Sequence, residues 1–440
     1  MDKQIVPGRR VAHSCRPAAT ALAALVVLVA MLTTAAAARA STTSVFYDGQ
    51  DNLAADPFPF QSLGTGEANT AVGQRMMGDL TTGRENIAIG RFALQNLTTG
   101  DENVAYGDSA AFQMSTANGI TAIGSAAAAN STSDGSTAVG EHAMINNTSG
   151  SGNTAVGASA LAINGTGFQN TALGFDSLLK NTGNYNSASG YQALINNTSG
   201  ASNTALGRQA MLANTTGSQN TATGVNALIS ETTANYNVAN GYQALVFNKT
   251  GNRNIGVGGN ALLGNTAGSD NIGLGDQVLF TNTTGIHNVA VGSNALHAMT
   301  GQNGNTAIGF GALCKAKGAR NIALGNAAGA NLTTGSDNID IGHGGVAAEA
   351  KTIRVGTQGT QTRAFLAGVN GVTIPGPAAR VFVNAQGQLG TVVGSAATSS
   401  GTDSGSNGRL AGVVHRQQRA LARQQRQLDA LRREVAAMRR

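Results

Sequence analysis

Apolar and polar positions along the chain recur in a fixed unit of about seventeen residues. Its clearest form is Asn170, Thr171, Ala172, Leu173 and Gly174: Asn, a β-branched residue, Ala, a bulky apolar residue, Gly. Seventeen copies of the closing glycine run from Gly73 to Gly342, spaced by 17 residues in thirteen of sixteen steps and by 16 in the other three. So regular a period predicts a stacked, quasi-one-dimensional fold. Asn opens fifteen of the seventeen units, with Ile120 and Ser136 as departures. Ala fills the third place in fourteen; Gly256, Gly273 and Asp340 stand in the others.

Five residues with apolar alternation, closed by glycine, predict a short strand. Alternation sets the Val, Ile or Leu column on one face and Asn, Ala and Gly on the other. The bulky column is expected to face the core. A second apolar point lies four residues past the glycine, as at Leu94, Leu161, Leu228 and Leu296, and predicts a second short strand. The Asn, Ser, Thr and Gly that follow supply a turn. One unit is then one coil, and successive coils stack about 4.8 Å apart.

Asn170 and Asn203 belong to a column whose amides are placed to bond coil to coil, as Asn ladders do in cross-β stacks. Ala172 lies on a face almost without side chains. Gly174, Gly207 and Gly309 have two readings: they turn corners, or they let another chain's backbone approach. On either, Gly207→Val is expected to break the fold, and Ser202→Val in the outer turn to be nearly silent. The energetics point to a partner. Two large buried side chains per unit, at roughly 2–3 kcal/mol each, oppose a backbone ordering cost of roughly 1–2 kcal/mol per residue.

The period divides the chain. Residues 1–40 read as a signal peptide: Arg9, Arg10 and Arg16 precede an uncharged apolar run, and Ala38, Arg39 and Ala40 form a small-x-small cleavage site before Ser41. The alternative is an uncleaved anchor, since 18–38 is just long enough to span a bilayer. Residues 41–68 are expected to be an N-terminal cap and 69–345 the repeat head. Residues 346–393 are expected to be a small β closing or neck module, with strand-like runs at 352–356, 363–369, 380–384 and 388–393. Residues 394–408 read as a Gly/Ser linker, and 409–440 as a coiled coil. In that tail Val414, Leu421, Leu428 and Val435 fall at a, and Leu410, Gln417, Gln424, Leu431 and Met438 at d. A basic amphipathic helix lying on anionic lipid is the alternative.

Charge refines this division. The net charge is +6, but the leader carries +4 and the residues from Arg409 onward +7, which leaves −5 on 41–408. The head is therefore not a nucleic-acid surface. After cleavage Cys314 is the one remaining cysteine, which excludes an intrachain disulfide framework.

In the Asn-Thr-Ala-Leu-Gly units and the Asn-Thr-Thr-Gly turns, the sequence resembles the head repeats of trimeric autotransporter adhesins of the YadA-like type, over 69 to about 345. The resemblance implies a left-handed parallel β-roll, here of about 17 coils, that assembles as a homotrimer. The unit is longer than the short repeats of those heads, and the chain finishes on a helical tail rather than a membrane-anchor segment. The stretches 338–372 and 383–391 look like bacterial and phage tail-fibre proteins carrying the same repeats, without an endosialidase-type chaperone domain.

No constellation for chemistry accompanies the repeats. His142, His287, His297, His343 and His415 fall in different columns, and no zinc spacing, phosphate loop or nucleophile elbow is present. Asp337, Asp340 and His343 are near enough in sequence to touch an ion at the last coil, against the simpler reading of a solvated end coil. An ice-binding array would need an unbroken Thr column, whereas Thr70, Ile87, Val104, Thr121, Ile255 and Val289 alternate. The expectation is an all-β, non-enzymatic fibre with no cofactor, metal or catalytic residue. It would be exported to the periplasm, the cell surface or the medium. Its membrane anchoring is not encoded unless the leader stays, and its ligand would be a host or surface macromolecule. The alternative is a phage-derived or envelope structural fibre without a ligand of its own.

Overall fold

The computed structural model describes residues 45–55, 60–366, 381–390, 415–429 and 432–433. The leader, the linker, and Leu410, Val414, Leu431, Val435 and Met438 of the tail lie outside the described residues. The chain forms two compact units, Met1–Thr360 and Gln361–Arg440.

The first unit is a parallel β-solenoid. Three-residue strands from β2 (Leu53–Ala55) and β3 (Thr70–Val72) through β19 (Ile339–Ile341) to β20 (Ile353–Val355) each pair in parallel with the next. Equivalent columns stand in register, as with Thr204, Ala205 and Leu206 against Thr221, Ala222 and Thr223. The stack makes about eighteen turns and reaches one coil beyond the 69–345 repeats at each end. β2 lies in the stretch read as a cap and β20 in the stretch read as a closing module. β1 (Val45–Tyr47) runs antiparallel along β2.

Alternation is as the repeat predicts, but the inside and outside are reversed. In the strands from β2 to β19 the middle residue, Ala in most, is buried, while its two neighbours, including the Val, Ile or Leu column, are half-buried or exposed. Ala172 is buried and Leu173 is 40% exposed; Ala205 is buried and Leu206 is 51% exposed. The physical reason is the narrowness of the coil. A Cβ built on Gly256 would lie 3.4 Å from both Leu245 Cγ and Leu262 Cδ1. The middle strand position thus looks straight onto the leucine column, with space for one methyl. The apolar core is the leucines and methionines past the glycine together with the alanines, and buried Asn columns line it.

The second short strand is absent. The residues two and four past the glycine adopt positive φ, as in Phe92 (62°) and Leu94 (50°), or Asn260 (55°) and Leu262 (52°). Alternating left-handed residues curl the chain into a corner instead of extending it. Backbone bonds still run from coil to coil, with Leu94 N–H donating to Ala110 O at 3.0 Å. The buried leucines hold these conformations by their own packing.

The glycine column turns corners and admits a close backbone, but that backbone is the next coil of the same chain and not another chain's. Gly174, Gly207 and Gly309 have φ of 129°, 144° and 139°. A Cβ on Gly207 would stand 2.4 Å from Gly224 O, so the close neighbour is the next coil's backbone. Ser202 also has positive φ, at 58°. The expectation that valine is silent there is therefore replaced: a β-branched residue is strained in that region.

The Asn column is a buried ladder. Asn170 N–H donates to Asn153 Oδ1 at 2.8 Å, and its Nδ2 to Gly183 O at 2.9 Å. Asn203 N–H donates to Asn186 Oδ1 at 3.0 Å and its Nδ2 to Gly217 O at 2.8 Å. At Asn52, the first rung among the described residues, no earlier coil supplies an acceptor. Asp48 does so instead, its Oδ1 taking the Asn52 N–H and its Oδ2 the Nδ2, both at 2.9 Å.

In the second unit, β21 (Phe382–Val383) and β22 (Leu389–Gly390) form a small antiparallel sheet. Residues 363–366 are not a strand. Helix α1 (415–429) carries Gln417, Leu421, Gln424 and Leu428, all exposed, with Leu421 at 67% and Leu428 at 49%.

Candidate interaction surface

The reversal of faces creates the most prominent surface feature. Both outward columns of the stacked strands are rich in Thr, Val, Ile and Leu, because only the middle position has a core to enter. Among the more exposed are Ile123, Val156, Leu206, Leu274, Ile308 and Leu324. At about 4.8 Å per step, the row from β2 to β20 is on the order of 85 Å long. Bulky apolar residues on fourteen of the seventeen repeat coils make this row a candidate interaction face. Aromatic rings stand just past the glycine on some coils: Phe175 and Tyr191 stack at 5.7 Å with planes 9° apart, and Tyr242 and Phe310 are exposed.

Charges run along the column before the outer Asn ladder. Arg253 Nε donates to Asp270 Oδ1 at 2.6 Å, and Arg320 Nε to Asp337 Oδ1 at 2.6 Å, each pair joining neighbouring coils. Hydrogen bonds from these arginines hold the Asp270 and Asp337 carboxyls below the usual carboxylate range. Asp337 is thereby engaged on the outside. Asp340 points inward in the Ala column, 1% exposed, and stands opposite Arg354. The three residues Asp337, Asp340 and His343 do not converge. His343 Nδ1 accepts from Gly345 N–H at 2.8 Å and lies 3.6 Å from Asp340 Oδ1. Arg354 binds Glu349 at 2.8 Å, and both Asp340 oxygens are without a hydrogen bond. Burial, with the Glu349 charge, pushes the Asp340 carboxyl up.

The columns contain a second buried ladder that the sequence reading missed. Seven residues past the glycine stand Asn147, Asn164, Asn181, Asn197, Asn214, Glu231, Asn248, Asn265 and Asn282, all buried. Asn164 Nδ2 donates to Asn147 Oδ1 at 2.7 Å and Asn197 Nδ2 to Asn181 Oδ1 at 2.6 Å. Each of these amides also bonds a glycine carbonyl two or three residues on, as Asn197 does to Gly200 O. At either end of the solenoid the same column is mostly apolar: Leu80, Leu97 and Met114, then Met299, Ala316 and Leu332. The signal was available in the turn motif, where Asn precedes Gly by three residues, but turn chemistry explained that Asn equally well.

Other candidate residues stay apart. His297 stacks on Phe280 at 5.1 Å, and His287 approaches Asp270 at 3.9 Å. Among the described residues no group of three His, Cys, Asp or Glu is placed to hold a metal ion, and no helix is long and apolar enough to cross a membrane. No family model matches the chain, and no curated protein matches it.

Proposed function

We propose that the protein is an exported fibre that associates as a homotrimer through the outward apolar face of its solenoid and serves in attachment to a host or surface macromolecule. The observation that carries this reading is the outward column of bulky apolar residues, present in fourteen of the seventeen repeat coils and interrupted at Ser189, Thr223 and Asn240, with Leu206 at 51% exposure. A coil whose interior holds mainly one leucine and small residues has more apolar surface outside than an isolated protein leaves in water. Copies of the same chain present the same columns at the same spacing, so a closed symmetric assembly buries the whole row at once. Left-handed winding and the trimer as opposed to the dimer belong to this reading and come from the resemblance to adhesin heads; a coiled coil through Gln417, Leu421, Gln424 and Leu428 belongs to it on the heptad spacing of the tail.

Sedimentation equilibrium of the chain without residues 1–40 tests it, with three copies expected. A monomer at micromolar concentration with full β signature would overturn the assembly. Antibody labelling of intact cells, followed by adhesion of purified protein to host cells or matrix, tests the attachment. Surface display without adhesion favours the structural-fibre reading, which the tail-fibre likeness of 338–372 supports.

A further inference from the structure

The inner ladder has one rung of different chemistry. Wherever two Asn rungs follow one another the later donates Nδ2 to Oδ1 of the earlier, as Asn214 does to Asn197 and Asn282 to Asn265, both at 2.8 Å. At Glu231 the series requires a donor, and a carboxylate has none.

The glycines that pack over the ladder locate each rung. A Cβ built on Gly200 would lie 2.4 Å from Asn197 Oδ1 and 3.0 Å from Asn214 Nδ2, the two atoms of one hydrogen bond. On Gly268 the distances are 2.4 Å to Asn265 Oδ1 and 3.0 Å to Asn282 Nδ2, again a bonded pair. On Gly217 they are 2.4 Å to Asn214 Oδ1 and 3.0 Å to Glu231 Oε1. Glu231 Oε1 thus stands where the other rungs put a donor nitrogen, and it faces an acceptor. Neither Asn214 Oδ1 nor Glu231 Oε1 has a hydrogen-bond partner among the described residues. Turning the Asn214 amide over does not help, because its Nδ2 already donates to Asn197 Oδ1 and to Gly217 O.

We propose that Glu231 is held as a neutral carboxylic acid whose Oε1–H donates to Asn214 Oδ1, so that a single proton completes the inner ladder and its removal by alkali opens the solenoid at this coil. One proton satisfies two buried oxygens that are otherwise both orphaned. Glu231 is fully buried, and burial pushes its carboxyl up to about 8, with hydrogen bonds from Asn237, Asn248 and Asn220 offsetting only part of the rise. The side chains that face it from its own and the adjoining coils, Asn214, Asn220, Asn237 and Asn248, are neutral amides, so no counter-charge restores the carboxylate.

The direction of the pH effect follows. The folded carboxyl titrates at about 8 and the unfolded one near 4.5. Between these values the native state holds a proton that the unfolded chain has lost. The contribution is complete in acid and declines as pH rises, by up to about tenfold in the folding constant per pH unit. Above the folded value the decline stops. A stacked fold confines the consequence to the coils around Glu231.

The test compares the full chain with Glu231→Gln and Glu231→Asn, both of which donate at every pH. Unfolding midpoints are measured from about pH 5 to about pH 9, the window that linkage sets. The wild type is expected to lose stability across that range more steeply than Glu231→Gln, and the two curves are expected to diverge most at the alkaline end. Alkaline titration of other groups is common to all three proteins and cancels in the comparison. Independently, infrared difference spectra at neutral pH should show a carboxylic-acid carbonyl band in the wild type that Glu231→Gln lacks. Superimposable pH profiles, or a carboxylate band alone in the wild type, would overturn the proposal. Should neither variant fold, the carboxylic-acid band of Asp340→Ala, which removes the other carboxyl raised by burial, decides it.

Discussion

Val278 fills the space left by the missing side chain of Gly273. A Cβ built on Gly273 would lie 2.9 Å from Val278 Cγ1. In most coils the corresponding two places are both Ala, as at Ala205 and Ala210, and both are buried. Volume has been moved from the strand to the corner within one coil, in a core where each methyl is felt.

This exchange predicts strong coupling. Gly273→Ala is expected to overpack the coil and cost about 1–3 kcal/mol. Val278→Ala is expected to leave a small void and cost about 1–2 kcal/mol. Together they restore the common Ala pair, and the double variant is expected to be more stable than either single one. Denaturant unfolding of all four proteins measures the cycle; additive losses would show that the two side chains do not share a site.

At Gly207 the demand is on the backbone. Valine there adds a Cβ 2.4 Å from Gly224 O at a φ of 144°, so lost folding or a local break in the stack is expected. Ser202→Val, at a φ of 58°, is expected to cost about 1–2 kcal/mol from strain alone. Thr204→Val is the near-silent comparison, since Thr204 is exposed and its column holds Val238 and Ile255. Equal thermal stability of the three variants would remove the argument.

Asp340 is expected to be a liability at neutral pH. It puts a carboxylate with two unbonded oxygens in a column built for Ala. Its folded carboxyl is raised, chiefly by burial, so the native state binds a proton that the unfolded chain releases near its ordinary value of 3.8. Stability is therefore full below that value and is lost as pH rises through the raised folded one. Asp340→Ala is expected to gain about 1–3 kcal/mol at neutral pH. The gain should shrink as the solution is acidified, and thermal unfolding at the two pH values reads it.

Assembly gives two separable predictions. Leu206→Arg sits on the outward face at 51% exposure, so the solenoid is expected to fold while self-association weakens. On the proposed assembly, deleting residues 409–440 is expected to lower the rate or yield of association while an assembled head survives, because the long outward face is far larger than the seam the proposed coiled coil would add. Sedimentation with circular dichroism distinguishes loss of association from loss of fold. Unchanged association in Leu206→Arg would remove the outward face from the interface.

The period, the one-coil unit, the parallel stacking and the Asn ladder were legible in the sequence, because each is a local pattern repeated until chance is excluded. The column of Asn170 and Asn203 could be read as a ladder because identical residues at one spacing must stack. Which face of the strand points inward was not legible. Alternation separates Leu206 from Ala205 but assigns neither to the core, and ordinary hydrophobicity favours the larger side chain. Only the closed coil decides, because its corner, made of left-handed residues such as Gln209 and Met211, brings the leucine column so near the strand that a methyl is all that fits. The inner ladder was hidden for a similar reason: an Asn before Gly is a turn residue in any fold. It becomes a buried rung only when the turn folds over the core, and Glu231 shows its chemistry only once Asn214 is seen to face it.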